Sequence, residues 1–246
     1  MTKKVSPKTS RGVRRGERLT NCARECRHNA FTVIELVVVV GIIIVLAGLV
    51  LSTAGYARKK GARARAETEI AAISAACENY KADNGVYPSN SVTNNLDPRT
   101  NGDPRTTAYS SGSQYLYGEL SGDRNFNYII DPGEQGNRSY FAFKSTPPSA
   151  DGTSNSGMLS ITRSGSTYTV NYIRDPFGNS YGYSTLSANY LDWQNYDACV
   201  SGGGSCQPPS CPRPSSSGYN PTFDLWSTAG TTSGSTTDRN QWIKNW

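Results

Sequence analysis

A chain of 246 residues is long enough for one domain of ordinary size and an anchor. Its formal net charge is +6, but residues 1–30 carry nine Lys and Arg against two Glu, which leaves the other 216 residues at −1. Without its first segment the chain has no overall charge to hold phosphate, which argues against a nucleic-acid binder.

Residues 1–30 read as a basic leader that is cleaved off. The single histidine, His28, lies inside it. A chain cleaved behind it has no histidine for a Ser-His-Asp or Cys-His site, or for a His-bearing zinc site. No phosphate-binding Gly-Lys-Ser/Thr loop is present either, so the chain reads as non-enzymatic.

Phe31–Leu51 follows as 21 residues with one charge, Glu35. As a helix it spans about 31 Å, close to the roughly 30 Å hydrocarbon core of a bilayer. It is longer than a secretory signal's apolar run, and no small-x-small cleavage site closes it, so the segment is expected to be retained. The basic leader places the N-terminus in the cytoplasm, although Arg58, Lys59, Lys60, Arg63 and Arg65 follow the span. Glu35 has two readings. In the uncleaved chain it sits near the end of the span and snorkels into the headgroups. In a chain beginning at Phe31 it lies one helical turn from the new amine, and it pairs with the amine of an axially shifted neighbour, fixing register.

Residues 52–88 read as an amphipathic continuation of the same helix. Ala66, Ile70, Ile73, Cys77 and Tyr80 recur at spacings of three and four. Gly85 suits a helix C-cap, and Pro88 follows. Residues 89–246 read as an extracytoplasmic β domain with loop insertions. Asn, Asp, Gly, Pro and Ser make 89–113 a loop-rich stretch. Strands are expected at Tyr140–Lys144, Met158–Thr162 and Thr167–Ile173, the last two joined by a turn at Gly165-Ser166. Residues 199–220 read as a long surface loop. At least one disulfide is expected among Cys199, Cys206 and Cys211, because that loop has little apolar surface to bury. Cys77 reads either as a small apolar side chain of the inner helix face or as a further partner.

Phe31-Thr32-Val33-Ile34-Glu35-Leu36, behind a basic leader and before a long apolar run, resembles the type IV prepilin cleavage and methylation motif. The family has Gly where this chain has Ala30. Tyr80–Pro88, Asp175–Tyr183, Phe223–Ser227 and Asn245-Trp246 are similar to segments of the major, G-type pseudopilins of type II secretion systems. Residues 89–174 and 184–222 fall largely outside that likeness.

The resemblance implies an α+β, pilin-like fold in which a long N-terminal helix, membrane-spanning in its first half, packs on a small antiparallel sheet. It implies cleavage between Ala30 and Phe31 by a prepilin peptidase, N-methylation of Phe31, and polymerisation with itself and other pseudopilins. A platform protein and a cytoplasmic ATPase would drive assembly. The protein would lie in the inner membrane as a single-pass chain, N-terminus cytoplasmic before processing and C-terminal domain periplasmic, with membrane lipid as a partner and no nucleic acid. The filament would support protein secretion. The alternatives are a type IV pilin or minor pilin for adhesion, motility or DNA uptake, and a membrane-tethered binding module. Family members often bind calcium in the loop after the Asp-Leu-Trp-Ser segment; here that loop is Thr228–Asn240, whose only carboxylate is Asp238.

Overall fold

The computed structural model describes residues 32–134 and 137–246. The chain divides into two compact units, Met1–Leu51 and Ser52–Trp246. One helix, α1 (Val33–Asn84, 52 residues), runs through the boundary. Its start is rich in Val and Ile, which form helices poorly in water. In apolar surroundings the helix is still the form that satisfies every backbone group within the segment. Val33–Leu51 is exposed along its whole length.

In the second unit α1 buries one stripe: Ala66, Glu69, Ile70, Ile73, Ala76, Cys77 and Tyr80. The helix ends where expected, at Gly85, whose φ of 80° is left-handed and whose N–H donates to Lys81 O at 2.7 Å. Further along are α2 (Thr107–Ser121), α3 (Leu186–Ser201) and the short α4 (Thr236–Arg239). Strands β1 (Gly152–Ser154), β2 (Leu159–Ser164) and β3 (Thr167–Ile173) form one antiparallel sheet in that order. Strands β4 (Gly182–Ser184), β5 (Asp224–Ser227) and β6 (Ile243–Lys244) form a second. The fold is α+β.

The stripe of α1 packs into one core with Leu116 and Leu120 of α2, with Leu159, Ile161, Val170 and Ile173, and with Tyr181, Tyr183, Leu225 and Ile243. Polar contacts fix the alignment. Tyr181 Oη donates to Glu69 Oε2 at 2.7 Å, and Arg65 Nε donates to Glu69 Oε1 at 2.7 Å. Gln114 of α2 donates to Val170 O at 2.6 Å, and Ser113 Oγ accepts from Ile173 N at 2.9 Å.

Three expectations change. The run 89–113 is not loop throughout, because α2 begins at Thr107. Its Ser and Gly residues are weak helix formers, and packing of Tyr109, Leu116, Tyr117 and Leu120 overrides them. Tyr140–Lys144 forms no strand. The N–H groups of Tyr140 and Phe141 both turn to Leu120 O at the end of α2, while the Phe141 and Phe143 rings meet edge to face with centroids 4.6 Å apart. Helix α3 takes up Leu186–Ser201, so the expected loop at 199–220 opens with its last turn. Strand β3 falls where its alternation places it, β2 runs Leu159–Ser164 and so begins and ends later than the expected Met158–Thr162, and Ser164 pairs with Thr167 across the Gly165-Ser166 turn.

A disulfide joins Cys199 to Cys206. Cys211 is free and half-buried; its Sγ accepts from Asn94 Nδ2 at 3.1 Å. Cys77 is free and fully buried, and burial pushes its thiol well above the ordinary range.

Two outcomes follow for the protein in detergent. Tyr181→Phe removes a donor from the buried Glu69 carboxylate and should cost about 1–3 kcal/mol in urea unfolding. An unchanged midpoint would mean that Glu69 is satisfied without Tyr181. Alkylation under denaturant without reductant should label Cys77 and Cys211 and leave Cys199 and Cys206 unlabelled until reduction. Labelling of all four before reduction would refute the cross-link.

Candidate functional site

The candidate site begins at the first turn of α1. Thr32 stands just before the helix and Glu35 is its third residue. Glu35 N donates to Thr32 Oγ1 at 3.3 Å, while Thr32 N and Thr32 Oγ1 donate to Glu35 Oε2 at 2.9 Å each. This is a reciprocal capping box, and Thr-Val-Ile-Glu is its sequence signature. The cap holds the carboxylate over the first turn, where N–H groups lack helical partners and the helix dipole favours negative charge. Neither expectation for Glu35, snorkelling into the headgroups or pairing with a neighbour's amine, includes this cap, for which the Thr-x-x-Glu spacing is the signal. Ala30 and Phe31 lie outside the described residues, as do Cys22, Cys26 and His28.

Val33–Leu51 rises about 28 Å as a helix, near the thickness of a bilayer's hydrocarbon core. Among the described residues it belongs to the one helix long and apolar enough to cross a membrane. Val33, Ile34 and Leu51 are 81%, 72% and 75% exposed, so none of these side chains finds a partner within this chain that removes it from solvent.

The C-terminal segments singled out in the sequence meet in the second sheet. Strand β4 pairs with β5, Gly182 opposite Trp226. A Cβ on Gly182 would lie 2.2 Å from the Trp226 indole, so only glycine lets the ring cover this strand. Asp175 is fully buried before the turn into β4. Its Oδ1 accepts from Phe177 N at 3.0 Å and Asn179 N at 2.8 Å; its Oδ2 accepts from Ser227 Oγ at 2.6 Å. Burial raises the Asp175 carboxyl above its ordinary range, against those hydrogen bonds. Asn245 brackets β5: its Oδ1 accepts from Leu225 N at 2.9 Å and its Nδ2 donates to Phe223 O at 3.2 Å. Trp246 stacks on Tyr219 at 4.8 Å. These residues read as architecture.

The structure places Asp238 in α4. Ser235 Oγ caps the helix by accepting from Asp238 N at 3.2 Å, and Ser233 Oγ donates to Asp238 Oδ2. Among the described residues, no three Cys, Asp or Glu side chains form a metal-binding group by themselves. No role was expected for Asp123, Asn125 and Asn127, which alternate after α2, or for Asp131 and Glu134, which follow them with further side-chain oxygens. Their spacing is the signal that finds them.

No family model matches this chain, and neither does any curated protein or solved structure.

Proposed function

We propose that this chain is a prepilin-type structural subunit of a type II secretion pseudopilus. It enters the inner membrane as a single span, is cut between Ala30 and Phe31, and is methylated at the new N-terminus. It then polymerises through its apolar helix into a periplasmic filament, alone or with other pseudopilins. The enzymes and motor are supplied in trans, by a prepilin peptidase, a platform protein and an ATPase; the chain itself is not catalytic.

One observation carries this reading. An exposed apolar helix of bilayer length has a single carboxylate, and that carboxylate is fixed at the end next to Phe31. Lipid accepts the apolar surface but gives the charge nothing. A bundle of identical helices accepts the same surface, and an axially shifted neighbour brings a cationic N-terminus to Glu35. Lipid tails are as apolar as the side chains, so hydrophobicity alone selects no register between helices. A pair of opposite charges does.

The mass of the membrane-extracted protein should correspond to loss of residues 1–30 with one added methyl group. A mature N-terminus beyond residue 51 would mean an ordinary signal peptide and would sink the reading.

Glu35 separates capping from pairing. Glu35→Gln keeps a side-chain oxygen for the cap, since Gln serves at this position of a capping box. It removes the charge. Glu35→Val removes both. If pairing drives assembly, both variants should be cleaved and membrane-inserted, yet both should lose sheared or cross-linked polymer by tenfold or more. Normal polymer from Glu35→Gln would leave the carboxylate as a cap only.

A further inference from the structure

We propose that the loop Asp123–Glu134 is a calcium site. Asp123, Asn125 and Asn127 supply its first, third and fifth positions, Ile129 its carbonyl at the seventh, Asp131 the ninth and Glu134 the twelfth. Calcium takes six to eight oxygens, and a loop of about twelve residues with donors at these six positions is one way a chain supplies them. Every donor type here fits: three carboxylates, two carboxamides and one main-chain carbonyl. Nitrogen and sulfur ligands are absent from the set, which disfavours zinc.

The fold brings the set together directly after α2. Asn125 Nδ2 and Asn127 Nδ2 both donate to Asp131 Oδ2, each at 2.7 Å, so three of the six positions already share one point. Glu134 Oε1 reaches back to Arg124 N at 2.8 Å and Asn125 N at 3.1 Å, which closes the loop from its last position to its start. Asp123 Oδ2 accepts from Tyr128 N at 2.7 Å. Tyr128 holds the sixth position, where the motif calls for Gly. It takes the left-handed φ of 68° that the turn demands.

Charge gives an argument independent of spacing. Asp123 has no exposed surface. Apart from two backbone N–H groups, its partner is the neutral Tyr117 hydroxyl at 2.7 Å. Among the described residues the ion pairs involve other side chains, and Asp123, Asp131 and Glu134 take part in none. The nearest arginine in sequence, Arg124, turns instead to Glu119 at 3.1 Å. A buried carboxylate with no cation on it, tied through Asn127 to the Asp131 carboxylate, is an arrangement that a divalent ion completes.

The ion's role would be structural. Phe126 O accepts from Val170 N at 2.8 Å, and Tyr128 Oη donates to Ser145 O at 2.7 Å. The loop therefore joins the end of α2 to strand β3, and a bound cation would fasten that joint. This proposal does not rest on the filament reading, because binding is read on the unassembled protein.

The test uses the full chain in detergent, stripped with EGTA and titrated with calcium chloride by calorimetry, with magnesium chloride as a parallel arm. Saturable binding of one calcium per chain is expected, together with a calcium-dependent rise in Tm. Magnesium, which demands near-octahedral geometry and sheds its water reluctantly, should bind at least tenfold more weakly. Glu134→Gln and Asp131→Asn should each weaken calcium by tenfold or more, and Asp238→Asn should change it less than twofold. Absence of saturable heat would overturn the site. So would wild-type affinity in both Glu134→Gln and Asp131→Asn, or loss of binding in Asp238→Asn, which would move the ion to the C-terminal loop.

Discussion

Glu69 is the residue on which the alignment of helix and sheets depends. It lies in the apolar stripe of α1, 8% exposed, between Ala66 and Ile70. A carboxylate there is tolerable only with partners for both oxygens. Arg65 covers one from the preceding turn, and Tyr181 covers the other from the second sheet. The hydrophobic stripe is non-directional along the helix axis, so its polar neighbour supplies the more specific contact. The Tyr181 hydroxyl reaches Glu69 in one register. From Tyr181 the constraint passes along the backbone to Asp175, which holds Ser227 and so fixes β5. The buried polar groups thus specify what the apolar ones stabilise.

A second constraint acts on the same helix. Leu36–Leu51 exposes an unbroken apolar surface, far beyond the isolated patches that soluble monomers carry. At roughly 25 cal/mol per Å2 its removal from water is a large driving force. That force is non-directional, however, and both lipid and a neighbouring helix satisfy it. Selectivity between those surroundings has to come from a polar group. Glu35 is the only ionisable one in Val33–Leu51.

How much of this was legible in the sequence follows from what each signal depends on. The α1 stripe was legible because Ala66, Ile70, Ile73, Cys77 and Tyr80 repeat with the helical period, and the repeat is local. Strand β3 was legible because Tyr168, Val170 and Tyr172 alternate with polar residues directly after a short glycine turn. Helix α3 was not: only Leu186, Ser187 and Asn189 are buried, so it has almost no apolar face to read. The extended segment at Tyr140–Lys144 failed for the opposite reason. Its alternation of Phe141 and Phe143 is real, but the pairing partner is a carbonyl at the end of α2 and not a strand. Such a partner lies far off in sequence and leaves no periodic trace. In the candidate site, the Glu35 cap and the loop Asp123–Glu134 are both spacing motifs. Each lies in the offsets between residues, which composition does not record.

The capping box sharpens the question of what Glu35 would do in the proposed filament. Its hydrogen bonds to Thr32 are local and survive in water, in lipid and in a bundle alike. Capping interactions of this kind contribute about 1 kcal/mol. That is enough to set the direction of the carboxylate, but not enough to compensate an anion drawn to the middle of the hydrocarbon, which insertion scales place at about 2.5–3.5 kcal/mol. Breaking a buried ion pair costs about 3–5 kcal/mol, which exceeds the cap. A neighbouring amine therefore does not have to displace Thr32 to win; Glu35 has a second oxygen, and a carboxylate offers about four acceptor sites. The cap uses Oε2. In a packed bundle the same residue can keep its own helix start in order through one oxygen and meet the neighbour's N-terminus through the other. The pairing then starts from a side chain already held in place, so less rotamer entropy is lost on assembly than for a free glutamate.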